Sequence, residues 1–207
     1  MCAQSNFYTD ALAERNPDYP IEPLLLGRWS PRSMTGESID QDRLLTLFEA
    51  ARWAPSTYNE QEWRFLYSCR DDEHWDKFFN LLADANKAWC EDAACLIVAT
   101  SCNKLSRNGK INPVHSFDCG LAVQNLLLQA TALGVVAHGI AGFDEQAART
   151  KLGVPDDVSV EAMIAVGIPA PADELPEKLR EKEEPSQRRP LHEIVHRGGF
   201  NFTNVPE

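Results

Sequence analysis

From Cys119 to Phe143 the chain carries no formally charged residue. No other feature of the sequence restricts the fold as much. A stretch of this kind either crosses a membrane or is buried in protein. Gln124, Asn125, Gln129, Thr131 and His138 interrupt it, and each polar group would be costly in lipid without a partner. Gly134 reads as a helix stop. The expectation is therefore a helix over about residues 118–133, buried nearly all round in protein. Asp118 would contribute at its start, where a negative charge is favoured. A monomer of this size rarely hides such a helix completely, so a second subunit is expected to cover part of it.

The rest of the chain supplies elements to pack around that helix. Leu44, Leu47, Phe48 and Ala51 recur at helical spacing after Ser38 or Asp40, either of which could cap, and Pro55 ends the helix. WRFLYS reads as a strand. Trp75, Phe78, Phe79 and Leu82 form a second helical stripe after DDEHW. ACLIVATS and AMIAVGIP read as buried strands, and VVAHG as strand or loop. Helices and strands alternate around one sheet, with no internal repeat and no central linker. The whole chain, 1–207, is read as one domain with an N-terminal arm over 1–23 and a C-terminal arm and short helix over 170–207. The C-terminal arm, PADELPEKLREKEEPSQRRP, is rich in proline and charge and is expected on the surface with a helical turn or two.

Charge and cysteine usage exclude several roles. The net charge is -11, which repels nucleic acid and anionic membrane surfaces, so neither is expected as a partner. Asp10, Glu14, Arg15 and Asp18 break up the first twenty residues, unlike the apolar stretch of a signal peptide. The six cysteines show no C-x-x-C spacing. Free thiols in a reducing cytosol are the simplest account, so a cytoplasmic protein is expected.

The tail LHEIVHRGGF spells H-E-x-x-H through His192, Glu193 and His196. In zinc hydrolases that motif lies inside a long helix, with both histidines on one metal and a third ligand beyond. Here Pro190 precedes it and Gly198 and Gly199 follow, so a helix has room for roughly two turns. Phe202 stands where the extended motif needs its last histidine. No metal site is expected. The motif is read as an accident on the solvated face of a short C-terminal helix, with Leu191, Ile194 and Val195 as its docking side.

Three other stretches carry more chemistry. In RWSPR, Arg28, Ser30 and Arg32 alternate about the stiff Pro31 and can project to one side, which suits a phosphate or a flavin edge. In APSTYNEQEW, Ser56, Thr57, Asn59 and Gln61 sit between two rigid elements and can hydrogen-bond a heterocycle. In AHGIAGFD, Gly139 and Gly142 let backbone amides approach a flat ligand, and Asp144 can cap the following helix. With the central LAVQNLLLQATALG, the LGVP after the G-F-D turn and RRPLHEIV near the end, these pieces in this order resemble the flavin-dependent nitroreductase family, over residues from about 24 to 197.

The resemblance implies an α+β fold, with a central, mostly antiparallel sheet flanked by helices in a domain-intertwined homodimer, and FMN at the subunit interface. It implies that Arg28, Trp29, Ser30 and Arg32 meet the phosphate and the pyrimidine edge, with Arg32 near N1 and the C2 carbonyl, where reduction puts negative charge. Pro55, Ser56, Thr57 and Asn59 would come from the partner subunit. Asn86 would lie near the ring. Ile140, Ala141 and Gly142 would line it, with backbone N–H groups toward N5. Arg188 or Arg189 would close over the phosphate, and adjacent side chains point apart, so only one should reach it. No acid or base side chain is demanded, because the cofactor carries the chemistry.

The activity implied is NADH- or NADPH-dependent reduction of a nitroaromatic, quinone or related small acceptor, in a ping-pong order. Another flavoenzyme of the same fold (a dehydrogenase, a dehalogenase or a flavin-fragmenting enzyme), or a flavin-binding protein with little turnover, stays open. Two departures stand out: Glu62 replaces the proline of the family's Q-P-W, and Trp89 stands where some members hold a lysine.

Overall fold

The eight-residue run Cys95–Cys102 is buried along seven of its positions, and the fold is arranged about it. The computed structural model describes residues 7–202, so Cys2 and the extreme ends of both arms lie outside the described residues. Helices α1 (Phe7–Glu14), α2 (Pro23–Gly27) and α3 (Gln41–Arg52) lead into strand β1 (Trp63–Cys69). Helices α4 (Trp75–Phe79) and α5 (Asp84–Cys90) precede β2 (Cys95–Cys102). Then follow α6 (His115–Ala132), β3 (Val136–Ile140), α7 (Glu145–Leu152), β4 (Val158–Gly167) and the short α8 (Glu177–Arg180). The sheet order is β1-β2-β4-β3 and every pairing is antiparallel. The register slips once, between Ala99 and Thr100.

Because side chains alternate across a strand, β2 feeds two cores. Leu96 and Val98 join Met163, Val136, Phe78, Leu82 and Trp89 on the face covered by α4, α5 and α7. Ile97 and Ala99 join Ile164, Val166 and Val135 under α3 and α6. An apolar run without alternation is what a strand covered on both faces requires. Asp40 caps α3, its Oδ1 accepting the amides of Asp42 and Arg43, and Asp144 caps α7 by accepting from Ala147.

Several expectations change. The uncharged helix begins at His115, before Asp118, and Asp118 is a buried member of its first turns. Within one chain, α6 buries Cys119, Ala122, Leu126 and Ala130 as a single stripe, while Phe117 is 68% exposed and Gly120 and Gln124 face outward. The second helical stripe ends at Phe79, where the Asn80 side chain takes the Asp76 carbonyl, and Leu82 instead bridges to Phe143. The tail forms one 3-10 turn, Leu191–Glu193. Ile194 and Val195 lie outside that turn, more than half exposed, so they do not dock. No helix among the described residues is long and apolar enough to cross a membrane.

Candidate active site

Gly27 closes α2, and a side chain there would run into the ring of Tyr8, so glycine is what lets α1 lie against this turn. The chain leaves it extended, with Arg28 at φ −71° and ψ 121°. Arg28 donates to Ser30 Oγ at 3.2 Å. The segment is held from behind by Arg15. Its Nη1 donates to the carbonyls of Leu26 (2.6 Å) and Arg28 (2.7 Å), and its Nε to the carbonyl of Ser186 (3.1 Å). One planar guanidinium thus joins the end of α1, the end of α2 and the C-terminal arm, a geometry that an ammonium cannot reproduce.

Arg28, Ser30, Arg32, His138, Lys182 and Arg188 line one cavity of about 260 Å³. Trp29 is buried at its edge, its indole N–H on the Phe7 carbonyl. Among the described residues, Arg15, Arg28 and Arg188 form no ion pair. Burial, and then the charge of Arg188, lower the Arg28 guanidinium below its usual range. Arg15 is lowered by burial first, then by Arg188 and Arg28. Arg28 and Arg188 line this hollow without an ion-pair partner among the described residues, with Glu184 also on its wall and Arg15 behind it, and such cations suit an anion. Arg189 does not line this cavity. It faces a separate one of about 430 Å³ with Pro190, Leu191 and Ile194.

Arg32 differs from Arg28. Glu183 Oε1 accepts the backbone amides of Arg32 (2.5 Å) and Ser33 (2.9 Å), and its Oε2 lies 3.5 Å from Arg32 Nη1. The glutamate side chain is 3% exposed. The acidic arm was expected on the surface; this glutamate of it is a buried clasp on the Arg28–Ser33 segment.

On the other wall, His138 of β3 packs on Trp89, ring centroids 4.6 Å apart, with Nδ1 2.9 Å from the Pro31 carbonyl. That carbonyl can only accept, so Nδ1 carries the proton. Burial is the main cause that lowers His138 below the usual histidine value and keeps it neutral. Asn86 ties the following loop in place: its Nδ2 donates to the Gly142 carbonyl at 2.8 Å and its Oδ1 accepts from Trp89 Nε1 at 3.3 Å. A Cβ at Gly142 would come within 2.6 Å of Asn86 Nδ2, so a larger residue there would push that side chain off its place. Ile140 is buried and Ala141 exposed at the end of β3.

Pro55, Ser56, Thr57 and Asn59 do not line the Arg28 cavity of the same chain. Their loop is tied at the start of α6 by Asp118, whose Oδ2 accepts the Thr57 amide at 2.7 Å. Ser56 Oγ accepts the Gln61 amide at 3.0 Å. Tyr58, Asn59 and Gln61 have φ of 55°, 57° and 50°, an uncommon left-handed state for such residues that surrounding contacts must hold. In the tail, His192 lies in the 3-10 turn and His196 beyond it, with its ring against Phe202. Among the described residues, no group of three His, Cys, Asp or Glu could hold a metal.

Sequence reasoning missed Arg15, His138, Lys182 and Glu183. A histidine inside the apolar VVAHG strand was the one available signal.

The model of the nitroreductase family matches residues 25–89 and 79–168. A provisionally named NADH dehydrogenase/NAD(P)H nitroreductase of Archaeoglobus fulgidus is 30% identical over 150 residues, 70% of this chain and 83% of that protein. The NADPH-flavin oxidoreductase of Vibrio harveyi is 26% identical over 200 residues, 90% of this chain and 77% of that one. A crystal structure described as an oxidoreductase containing FMN superposes with a TM-score of 0.87 at 39% identity, covering 91% of this chain and 96% of that chain. A nitroreductase-type protein of Desulfovibrio desulfuricans in complex with FMN has a TM-score of 0.67 at 30% identity, covering 88% and 100%.

Proposed function

The chain belongs to the nitroreductase family, and from that premise we propose that it is an FMN-dependent NAD(P)H oxidoreductase acting on nitroaromatic, quinone or related small acceptors. The observation that carries this reading is the pair Arg28 and Arg188, which line one cavity and have no ion-pair partner among the described residues. A dianionic phosphate is the chemistry that such a pair fits. The chemistry FMN supplies when bound is two-electron transfer from a reduced nicotinamide to the acceptor, donor and acceptor taking turns at one site.

The protein's part is to bind, orient and set charge. Arg28 and Arg188 hold the phosphate, and Ser30 donates beside them. Arg32 supplies positive charge toward the pyrimidine edge, and Glu183 attenuates that charge by lying against it. His138 stays neutral, so it adds a polar atom to the wall without adding charge. The Gly142 loop, pinned by Asn86, offers backbone N–H groups.

The 55–59 loop serves the site of a partner subunit in a homodimer, and the outward face of α6 around Phe117 lies in that contact. The reading takes residues 1–207 as one cytoplasmic domain with arms at 1–23 and 170–207. The test is direct. Purified protein should absorb as a flavoprotein between about 350 and 500 nm and should oxidise NADH or NADPH only when a quinone or nitroarene is supplied. A colourless protein that binds no added FMN refutes the proposal.

A further inference from the structure

Glu62 stands at the mouth of β1, and its backbone carbonyl accepts the Cys102 amide at 2.9 Å. The residue is 3% exposed. Oε1 accepts from Asn112 Nδ2 at 2.7 Å. Oε2 is buried, and no donor among the described residues reaches it. Beside it lies the carboxyl of Asp118, itself 3% exposed. Asp118 is the group that holds the Thr57 amide.

Two ionised carboxylates in contact, both away from water, repel strongly and leave Oε2 without a partner. No cation offsets them: neither forms an ion pair among the described residues. Arg64, two residues on, spends its guanidinium on the carbonyls of Gln61 and Trp63. The Cys119 thiol on α6 is pushed up to about 12, by burial first and then by Glu161, and so carries no charge.

We propose that Glu62 is held as the neutral acid, with Oε2–H donating to the Asp118 carboxylate, and that this hydrogen bond positions the 55–61 loop through the Thr57 amide. The arrangement gives the buried Oε2 the partner it otherwise lacks. Burial first, and the Asp118 carboxyl after it, raise Glu62 above the usual glutamate range, in the direction this state requires. The loop needs such an anchor. Its three left-handed residues would relax toward ordinary backbone if Asp118 were pushed off Thr57. That the anchored loop seats a flavin rests on the function proposed above; the protonated pair does not.

The sign follows from linkage. A carboxyl whose folded-state value is raised contributes stability that is complete in acid and lost as pH climbs. The loss runs from the free glutamate value of about 4.3 up through the raised value. One proton is involved, so the unfolding constant should rise by at most about tenfold per pH unit in that window. The folded protein keeps its proton across that window, so the apparent FMN dissociation constant should rise only as pH passes the raised value itself.

The experiment follows thermal stability and FMN affinity of the full chain against pH for wild type and Glu62→Gln. The amide copies the neutral acid at every pH, so the stability curve should flatten over that window and the affinity curve above the raised value. Asp118→Asn removes the repelling charge but not the burial, so it should make the stability curve shallower without flattening it, and it serves if the first variant folds poorly. In the infrared, the neutral carboxylic acid band at about pH 7 should vanish in Glu62→Gln. Parallel stability curves for wild type and variant overturn the protonated pair. Stability curves that diverge while affinity curves stay parallel even above the raised value overturn the positioning role. Absence of FMN binding at any pH instead refutes the flavin reading, and the stability curves still decide the pair.

Discussion

Replacing Arg188 with alanine, beside the same change at Arg189, tests the anion cradle most sharply. Arg188 lines the Arg28 cavity and Arg189 does not. Arg188 is itself pre-positioned, with Nη1 on the Ser186 carbonyl (3.1 Å), Ser186 Oγ (3.0 Å) and the Gln187 carbonyl (3.1 Å). A charge-assisted hydrogen bond contributes about 1.5–3 kcal/mol, a factor of roughly ten to a hundred or slightly more in affinity. Arg188 is solvent-exposed, so screening places the expected loss near the lower end, about tenfold. Stability should move differently. The Arg188 charge disfavours the buried Arg28 guanidinium in the free protein, so the Arg188→Ala apoprotein should unfold no earlier than wild type. Titration of apoprotein with FMN, read by quenching of flavin fluorescence, gives the affinities, and a thermal melt of the same samples gives the stability. Equal effects at 188 and 189 would refute the geometric assignment. So would a loss of apo stability as large as the loss of affinity, because that would make Arg188 a structural residue.

Three further outcomes follow from the same geometry. Arg15→Lys keeps the charge but loses the fork that joins the Leu26, Arg28 and Ser186 carbonyls. It should weaken FMN binding about as much as Arg15→Ala, by roughly tenfold, and full rescue by lysine in the same titration would contradict the positioning role. Gly142→Ala forces a methyl against Asn86 and should destabilise by about 1–3 kcal/mol; in an Asn86→Ala background most of that cost should disappear, which a double-mutant cycle of melts would measure. His138 is held below the usual histidine value by burial, so the unfolded chain binds its proton more readily. Stability should therefore fall as pH drops below about 6.5, and His138→Asn should remove that part of the acid sensitivity in pH-dependent melts.

Legibility in the sequence followed the range of the interaction. β2 and β4 were readable because a strand covered on both faces is apolar at successive positions, a local property of CLIVATS and AMIAVG. The cap at Asp144 was readable because its acceptor and its donor are three residues apart. Arg28, Ser30 and Arg32 were readable as a group because alternation about a proline is local too. What escaped is what depends on partners far along the chain. Arg15 meets Ser186 across 171 positions, and Glu183 meets Arg32 across 151. Nothing adjacent to either residue separates it from a solvated surface charge, since a charged side chain is buried only where its partner happens to be brought. Asp118 failed in the same way. Near a helix start it looked like a favourable charge beside the dipole, but the amide it serves lies 61 residues earlier.

The same reasoning reconciles the net charge of -11 with an anion site. Net charge is a sum over the whole surface, and its field fades over a Debye length of about 8–10 Å. What a bound phosphate experiences is the short-range pair Arg28 and Arg188, with Arg15 behind them tying the end of α2 to the C-terminal arm through backbone carbonyls. Those carbonyls orient the cations without neutralising them, whereas Glu183 partly offsets Arg32. The acidic arm and the basic cradle are thus one construction: its glutamate clasps the chain where charge must be moderated, and its arginine faces the hollow where charge must stay free.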